Sequence, residues 1–196
     1  IYEFCLNCIK NHEMKISYTK FKGVILIEPK KHEDDRGFFS ETFSKKKIKE
    51  FENLEFVQDN QSLSLQKYIF RGLHYQIPPF AQDKLVRVIK GSILDFVLDI
   101  RKSSKTFGQL ESFKLSSENF NQIFVPKGFA HGFLTLEDDT ETIYKVTNYY
   151  SPEHDFGINI HDPELEINLP TDPKNIILSD KDKLQPNFKE VKYYFD

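Results

Sequence analysis

The sequence predicts an all-β sandwich or barrel, and three observations carry that prediction. Short β-favouring runs recur along most of the chain, each bounded by Gly, Pro, Asp or Asn. No long helical periodicity separates them, which argues against alternating strand–helix units and for stacked antiparallel strands. Aromatic residues make up 14%, with 19 Phe and 9 Tyr but no Trp, enough large apolar side chains to fill such a core.

In chain order, Met14 precedes a plausible first strand. A mostly apolar run from Val24 to Glu28 is stopped by Pro29, and Asp34, Asp35, Arg36 and Gly37 form a turn by composition. Phe38 to Phe43 resumes as a strand. Ser44 then heads Lys45 to Phe51, which reads as a short capped helix with Ile48 and Phe51 on one face. Strands are expected over Phe56 to Gln61 and Tyr68 to Gln76. Lys84 to Lys90 and Ile93 to Ile100, joined by Gly91 and Ser92, read as a hairpin. Further strands fall at Glu111 to Leu115, Gln122 to Val125, Phe133 to Leu136 and Thr142 to Tyr150. From Ser151 onward, prolines at 152, 163, 170, 173 and 186 predict irregular structure with one short helix near the C-terminus.

At 196 residues one well-buried domain is expected, over residues 14–196. Residues 1 to 13, which carry Cys5 and Cys8, read as a disordered leader or an overextended start, dispensable for folding. A Cys-x-x-Cys spacing serves zinc or redox chemistry, but no second pair completes a four-ligand cage, so the two are taken as structural. With 27 basic against 30 acidic residues the net charge is −3, which points away from nucleic acid as a partner. No apolar run reaches the roughly 18 residues of a membrane span, and no signal peptide is evident. A cytoplasmic protein without a membrane partner is expected.

The centre of the chain is Arg71-Gly72-Leu73-His74-Tyr75-Gln76, a strand interrupted by charge, glycine and imidazole. Strict alternation places Arg71 and His74 on opposite faces. For both to face one site the strand must slip by one residue, and Gly72 is the cheapest place for that bulge. Other polar residues also interrupt strands: Arg36, Glu41, Gln58, Asn60, Lys84, His131 and Tyr144. A barrel gathers such side chains at its mouth, and Arg36, Arg71, Lys84 and Lys181 make a positive pocket suited to a phosphate-bearing ligand.

The chain resembles the dTDP-4-dehydrorhamnose 3,5-epimerases, a cupin-type jelly-roll family. Carriers of the resemblance include DRGFFSETF (35 to 43), QDNQS (58 to 62), RGLHYQ (71 to 76), AQDKLVRV (81 to 88), VPKGFAHGF (125 to 133), YKVTNYYSP (144 to 152) and LSDKD (178 to 182). It implies a jelly-roll barrel with short peripheral helices and epimerisation of dTDP-4-dehydro-6-deoxyglucose to dTDP-4-dehydrorhamnose at C3 and C5, through an enolate. In that scheme His74 is the base, Asp182 its partner, Lys84 the enolate stabiliser and Tyr144 the acid. Arg71 and His131 hold the diphosphate, with Arg36, Glu41, Gln58, Asn60, Asp155 and Lys181 as further substrate contacts. The family also implies a homodimer that exchanges an early strand, so that Arg36 and Glu41 serve the neighbouring site. The chain departs from the family at Gln61, Phe70, Asp155, Ile160 and Leu169.

The chemistry needs these residue types in its own right. Removing a proton beside a ketone builds charge on its oxygen, so a base titrating near neutrality and a fixed positive donor are required. No cofactor is called for. A metal-dependent cupin is disfavoured because Gln76 stands where a His-x-His pair needs its second ligand. The remaining alternatives are an epimerase of C3 or C5 alone and a non-catalytic sugar-nucleotide-binding cupin.

Overall fold

The computed structural model describes residues 14–196, so the expectations for Cys5, Cys8 and the first thirteen residues fall outside it. The strands are β1 (Lys15–Tyr18), β2 (Ile25–Glu28), β3 (His32–Asp34), β4 (Gly37–Phe39), β5 (Gln58–Ser64), β6 (Phe70–Gln76) and β7 (Lys84–Lys90). They continue as β8 (Ser92–Asp99), β9 (Leu110–Ser116), β10 (Gln122–Val125), β11 (Phe129–Thr135), β12 (Thr140–Val146) and β13 (Asp155–Gly157), before a single helical turn, α1 (Asp180–Lys183). Two antiparallel sheets result, ordered β1-β2-β10-β7-β12-β5 and β13-β6-β11-β8-β9, with β3-β4 as a separate hairpin. The jelly-roll expectation holds.

Three apolar clusters fix the layers. Between the sheets, Val86, Val88 and Ile123 of the six-stranded sheet interlock with Ile93, Val97, Leu115, Phe129 and Phe133 of the five-stranded one. The outer face of the five-stranded sheet, with Leu73, Tyr75, Phe96 and Leu98, is covered by Ile158, Ile160, Leu165 and Val191 of the tail. On the other side, Ile48 and Phe51 cover Ile25, Ile27, Leu85 and Phe124. At roughly 25 cal/mol per Å² of apolar surface removed from water, these clusters are the main favourable term of folding. Among the described residues no helix is long and apolar enough to cross a membrane.

Several boundaries differ from expectation, each for a local reason. The predicted helix over 45 to 51 is two 3₁₀ turns, Lys45–Lys47 and Lys49–Phe51, and the Ser44 side chain caps neither. Ile48 between them is extended, at φ −118° and ψ 107°, which lets both Ile48 and Phe51 turn into the apolar layer. The strand expected over 38 to 43 stops at Phe39, because only β3 pairs with it. Lys84–Lys90 and Ser92–Asp99 do not form a hairpin: β7 pairs with β10 and β12, while β8 pairs with β11 and β9. The chain passes from one sheet to the other at Gly91, whose φ of +77° favours glycine and where a Cβ would lie 2.5 Å from Thr140 Oγ1. In the tail, β13 forms despite the prolines around it, by pairing with the free edge of β6.

Candidate active site

β6 carries the expected bulge. His74 is opposite His131 and Arg71 opposite Phe133, so three steps along β6 match two along β11. Gly72 allows this: its φ is +133°, and a Cβ there would fall 2.5 Å from Gly132 Cα. Before the bulge Phe70 packs outward; after it Leu73 and Tyr75 do. Arg71 and His74 therefore face the same cavity between the sheets, a space of about 440 Å³.

His74 Nε2 lies 2.5 Å from Asp182 Oδ1. Asp182 is almost fully buried, and Ser179 caps its turn by accepting the Asp182 amide at 3.1 Å. Burial pushes the Asp182 carboxyl up, but the hydrogen bond and charge of His74, helped by Ser179 and Lys181, hold it below the usual range. Lys84 crosses from the facing sheet, its Nζ 3.5 Å from the His74 carbonyl oxygen. Burial pulls its pKa down, against the opposing charges of Asp155 and Asp95. Tyr144 reaches in from β12, and burial pushes its phenol up, partly offset by Arg71, so it stays protonated at neutral pH.

The Arg71 guanidinium donates to Ser64 Oγ and the Leu63 carbonyl, both at 3.2 Å. His131 Nε2 sits 2.8 Å from Asp95 Oδ2. Lys181 also lines the cavity, and its Nζ lies 2.5 Å from Asp155 Oδ2. Burial opposes the charge of Lys181, yet the Asp155 carboxylate outweighs it and raises the ammonium above the usual lysine range.

The cavity thus brings together His74, Asp182, Lys84, Tyr144, Arg71, His131 and Lys181. The remaining expected residues lie elsewhere. Asp155 is beneath Lys181 and Tyr150, whose phenol donates to it at 3.2 Å. Gln58 donates to Asn60 Oδ1 at 2.8 Å, and Asn60 is the register partner of Tyr144. Glu41 pairs with Lys47 beside a second cavity of about 520 Å³ against the six-stranded sheet, which Asn60, Arg87 and Tyr144 also line. Arg36 is 90% exposed at the β3-β4 turn, held by Asp34. Asp95 went unremarked in the sequence, although alternation in the run from Ile93 to Ile100 puts it on the inward face with Ile93 and Val97. Tyr150 had no such signal.

Gln76, the would-be metal position, donates to the Phe80 and Tyr149 carbonyls and accepts the Ser151 amide. Its amide is thus committed to two loop segments, the one at Phe80 and the one at Tyr149 to Ser151. Among the described residues no cluster of three His, Cys, Asp or Glu could hold a metal ion.

Fold and cavity define a cupin-type jelly roll with an acid–base cluster between its sheets. A family model described as dTDP-4-dehydrorhamnose 3,5-epimerase matches residues 18–190. The enzyme of that name from Shigella flexneri is 44% identical over 183 residues, covering 92% of this chain and 99% of its own. The Bacillus anthracis dTDP-4-dehydrorhamnose 3,5-epimerase, solved with TDP and PPi bound, superposes with a TM-score of 0.85 at 46% identity, over 89% of this chain and 99% of that one. A Legionella pneumophila dTDP-6-deoxy-D-glucose-3,5-epimerase in complex with dTDP-4-keto-L-rhamnose gives a TM-score of 0.86 at 43% identity, over 91% and 95%. The chain belongs to the dTDP-4-dehydrorhamnose 3,5-epimerase family.

Proposed function

We propose that this protein converts dTDP-4-dehydro-6-deoxyglucose to dTDP-4-dehydrorhamnose by inverting C3 and C5 in turn. The observation that carries the proposal is an imidazole and a phenol on opposite walls of the cavity: His74 on the five-stranded sheet, Tyr144 on the six-stranded one. A sugar ring between the sheets meets a proton acceptor on one face and a donor on the other, which is what inversion requires.

In the proposed sequence His74, oriented by Asp182, removes the proton beside the C4 ketone. Lys84 stabilises the charge that develops on the ketone oxygen. Tyr144 protonates the carbanion from the far side and recovers its proton from water, while His74 gives up to water the proton it took, so that both are restored before the second inversion. Both C3 and C5 are acidified by the same carbonyl, so one base and one oxyanion donor serve each after the ring is repositioned. Arg71 and His131 hold the diphosphate, in keeping with the TDP and PPi of the Bacillus anthracis relative.

Run in heavy water, the reaction should place two deuterium atoms in the product, at C3 and C5, as read by NMR. Deuterium at one carbon alone would replace this proposal with a single-carbon epimerase. Exhaustive chelation should leave the rate unchanged, since none of the proposed steps uses a metal; activity lost on chelation and restored by a divalent cation would contradict it.

A homodimer with an exchanged early segment belongs to the same proposal. Its support is the β3-β4 hairpin, which exposes Phe38 and leaves Phe39 72% exposed, and which holds Arg36 away from its own cavity.

A further inference from the structure

α1 is one turn of four residues, and helices shorter than roughly 12 residues do not hold themselves in water. Its position must come from outside. Beyond the Ser179 cap, two adjacent residues tie it to two adjacent strands. Asp182 reaches His74 on β6, while Lys181 reaches Asp155 on β13 at 2.5 Å. The strands are in register, with Gly157 opposite His74 and Asp155 opposite Gln76. The two ties therefore lie side by side, with reversed polarity, across a single hydrogen-bonded pair of strands.

Asp155 is built for this task. Its side chain is only 9% exposed, and one oxygen, Oδ2, accepts both the Lys181 ammonium and the Tyr150 phenol. A carboxylate engaged in this way, beneath Lys181 rather than on the cavity wall, is poorly suited to bind the substrate directly. The chain on either side of the turn is anchored, by the Ile69–Ile177 bridge before it and by the Asn159 amide donating to the Pro186 carbonyl after it. If the Asp155 tie is cut, the side chains of the turn itself keep only the cap and the bond to His74, and the turn can rotate between those two anchors.

We propose that Asp155 is a positioning residue. Through Lys181 it seats α1 so that the Asp182 carboxylate meets His74, and it is not a substrate contact. This rests on His74 being the base, as proposed above.

The test compares Asp155→Asn, Asp155→Glu, Lys181→Met and the double variant Asp155→Asn/Lys181→Met. Asp155→Asn should lower kcat by roughly 10- to 100-fold, the cost of a catalytic group displaced by about an ångström, with KM within about twofold, and Lys181→Met, which also removes a cation from the cavity wall, should lower kcat over the same span. The double variant should be no worse than the single ones, because both cut the same tie. In the substrate-free protein, the low-field proton NMR signal of the His74–Asp182 hydrogen bond should vanish or broaden in Asp155→Asn and persist in Asp155→Glu. Should Asp155→Asn not fold, Lys181→Met carries the same kinetic and NMR readouts. A raised KM with unchanged kcat, or an unaltered low-field signal in both single variants, would overturn the proposal and leave the epimerase assignment standing. Full activity in His74→Ala would instead remove the base assignment on which it depends.

Discussion

Replacing His74 by Ala should slow epimerisation by roughly 10²–10⁴, or about 3 to 5 kcal/mol of barrier, the span expected for a positioned base. The structure gives the reason in the 2.5 Å contact to Asp182. An imidazole between a buried carboxylate and the substrate has its tautomer and ring orientation set before substrate arrives. Asp182→Asn should cost less than His74→Ala and should be silent when added to it, because its effect runs through the imidazole. Rates would be read by solvent deuterium incorporation, which follows proton abstraction even when inversion fails. An additive double variant would show that Asp182 acts on the substrate by another route.

Loss of Lys84 should be the second large effect. Lys84→Met should slow exchange at both carbons together, by roughly 10²–10³, as when other oxyanion donors are removed. The same side chain should set an alkaline limit to activity. Burial lowers its pKa, so the charged form needed at the ketone oxygen is lost, as pH rises, below the ordinary lysine value of about 10.4. Tyr144 shifts the opposite way: burial raises its pKa, which moves the loss of its phenol proton to higher pH. The limb should therefore survive in Tyr144→Phe, which should keep exchange but lose inversion. In Lys84→Arg it should move to higher pH, since a guanidinium stays charged above pH 12. A limb that disappears in Tyr144→Phe and persists in Lys84→Arg would assign it to the phenol instead.

Local pattern carried much of this molecule. β7 appears at the residues that its composition marks, and the slip at Gly72 follows from asking how Arg71 and His74 share a face. The residues of the cavity were legible through family motifs, although Asp182 and His74 lie 108 residues apart and nothing local joins them. Strand pairing was less legible. Lys84–Lys90 and Ser92–Asp99 have the composition of a hairpin, yet they pair with different neighbours in different sheets, which is a matter of long-range pairing that local composition does not carry. The helical pattern over 45 to 51 yielded to the apolar layer that Ile48 and Phe51 fill. β13 is too short to announce itself, and it exists because β6 has an edge to offer. Arg36 and Glu41 resemble site residues in sequence, yet lie outside the cavity that holds His74 in their own chain.

The bulge in β6 sets the smallest portable piece of this site. An unbroken strand presents its residues in one phase, so copying Arg71 and His74 onto a regular sheet would leave one of them outside. The stretch from 71 to 74 has to travel whole. It must also bring its counterpart on β11, because a Cβ on Gly132 would sit 2.7 Å from the Arg71 carbonyl oxygen. A designer grafting this chemistry onto another barrel would therefore be moving a joint between two strands, and the imidazole comes with it.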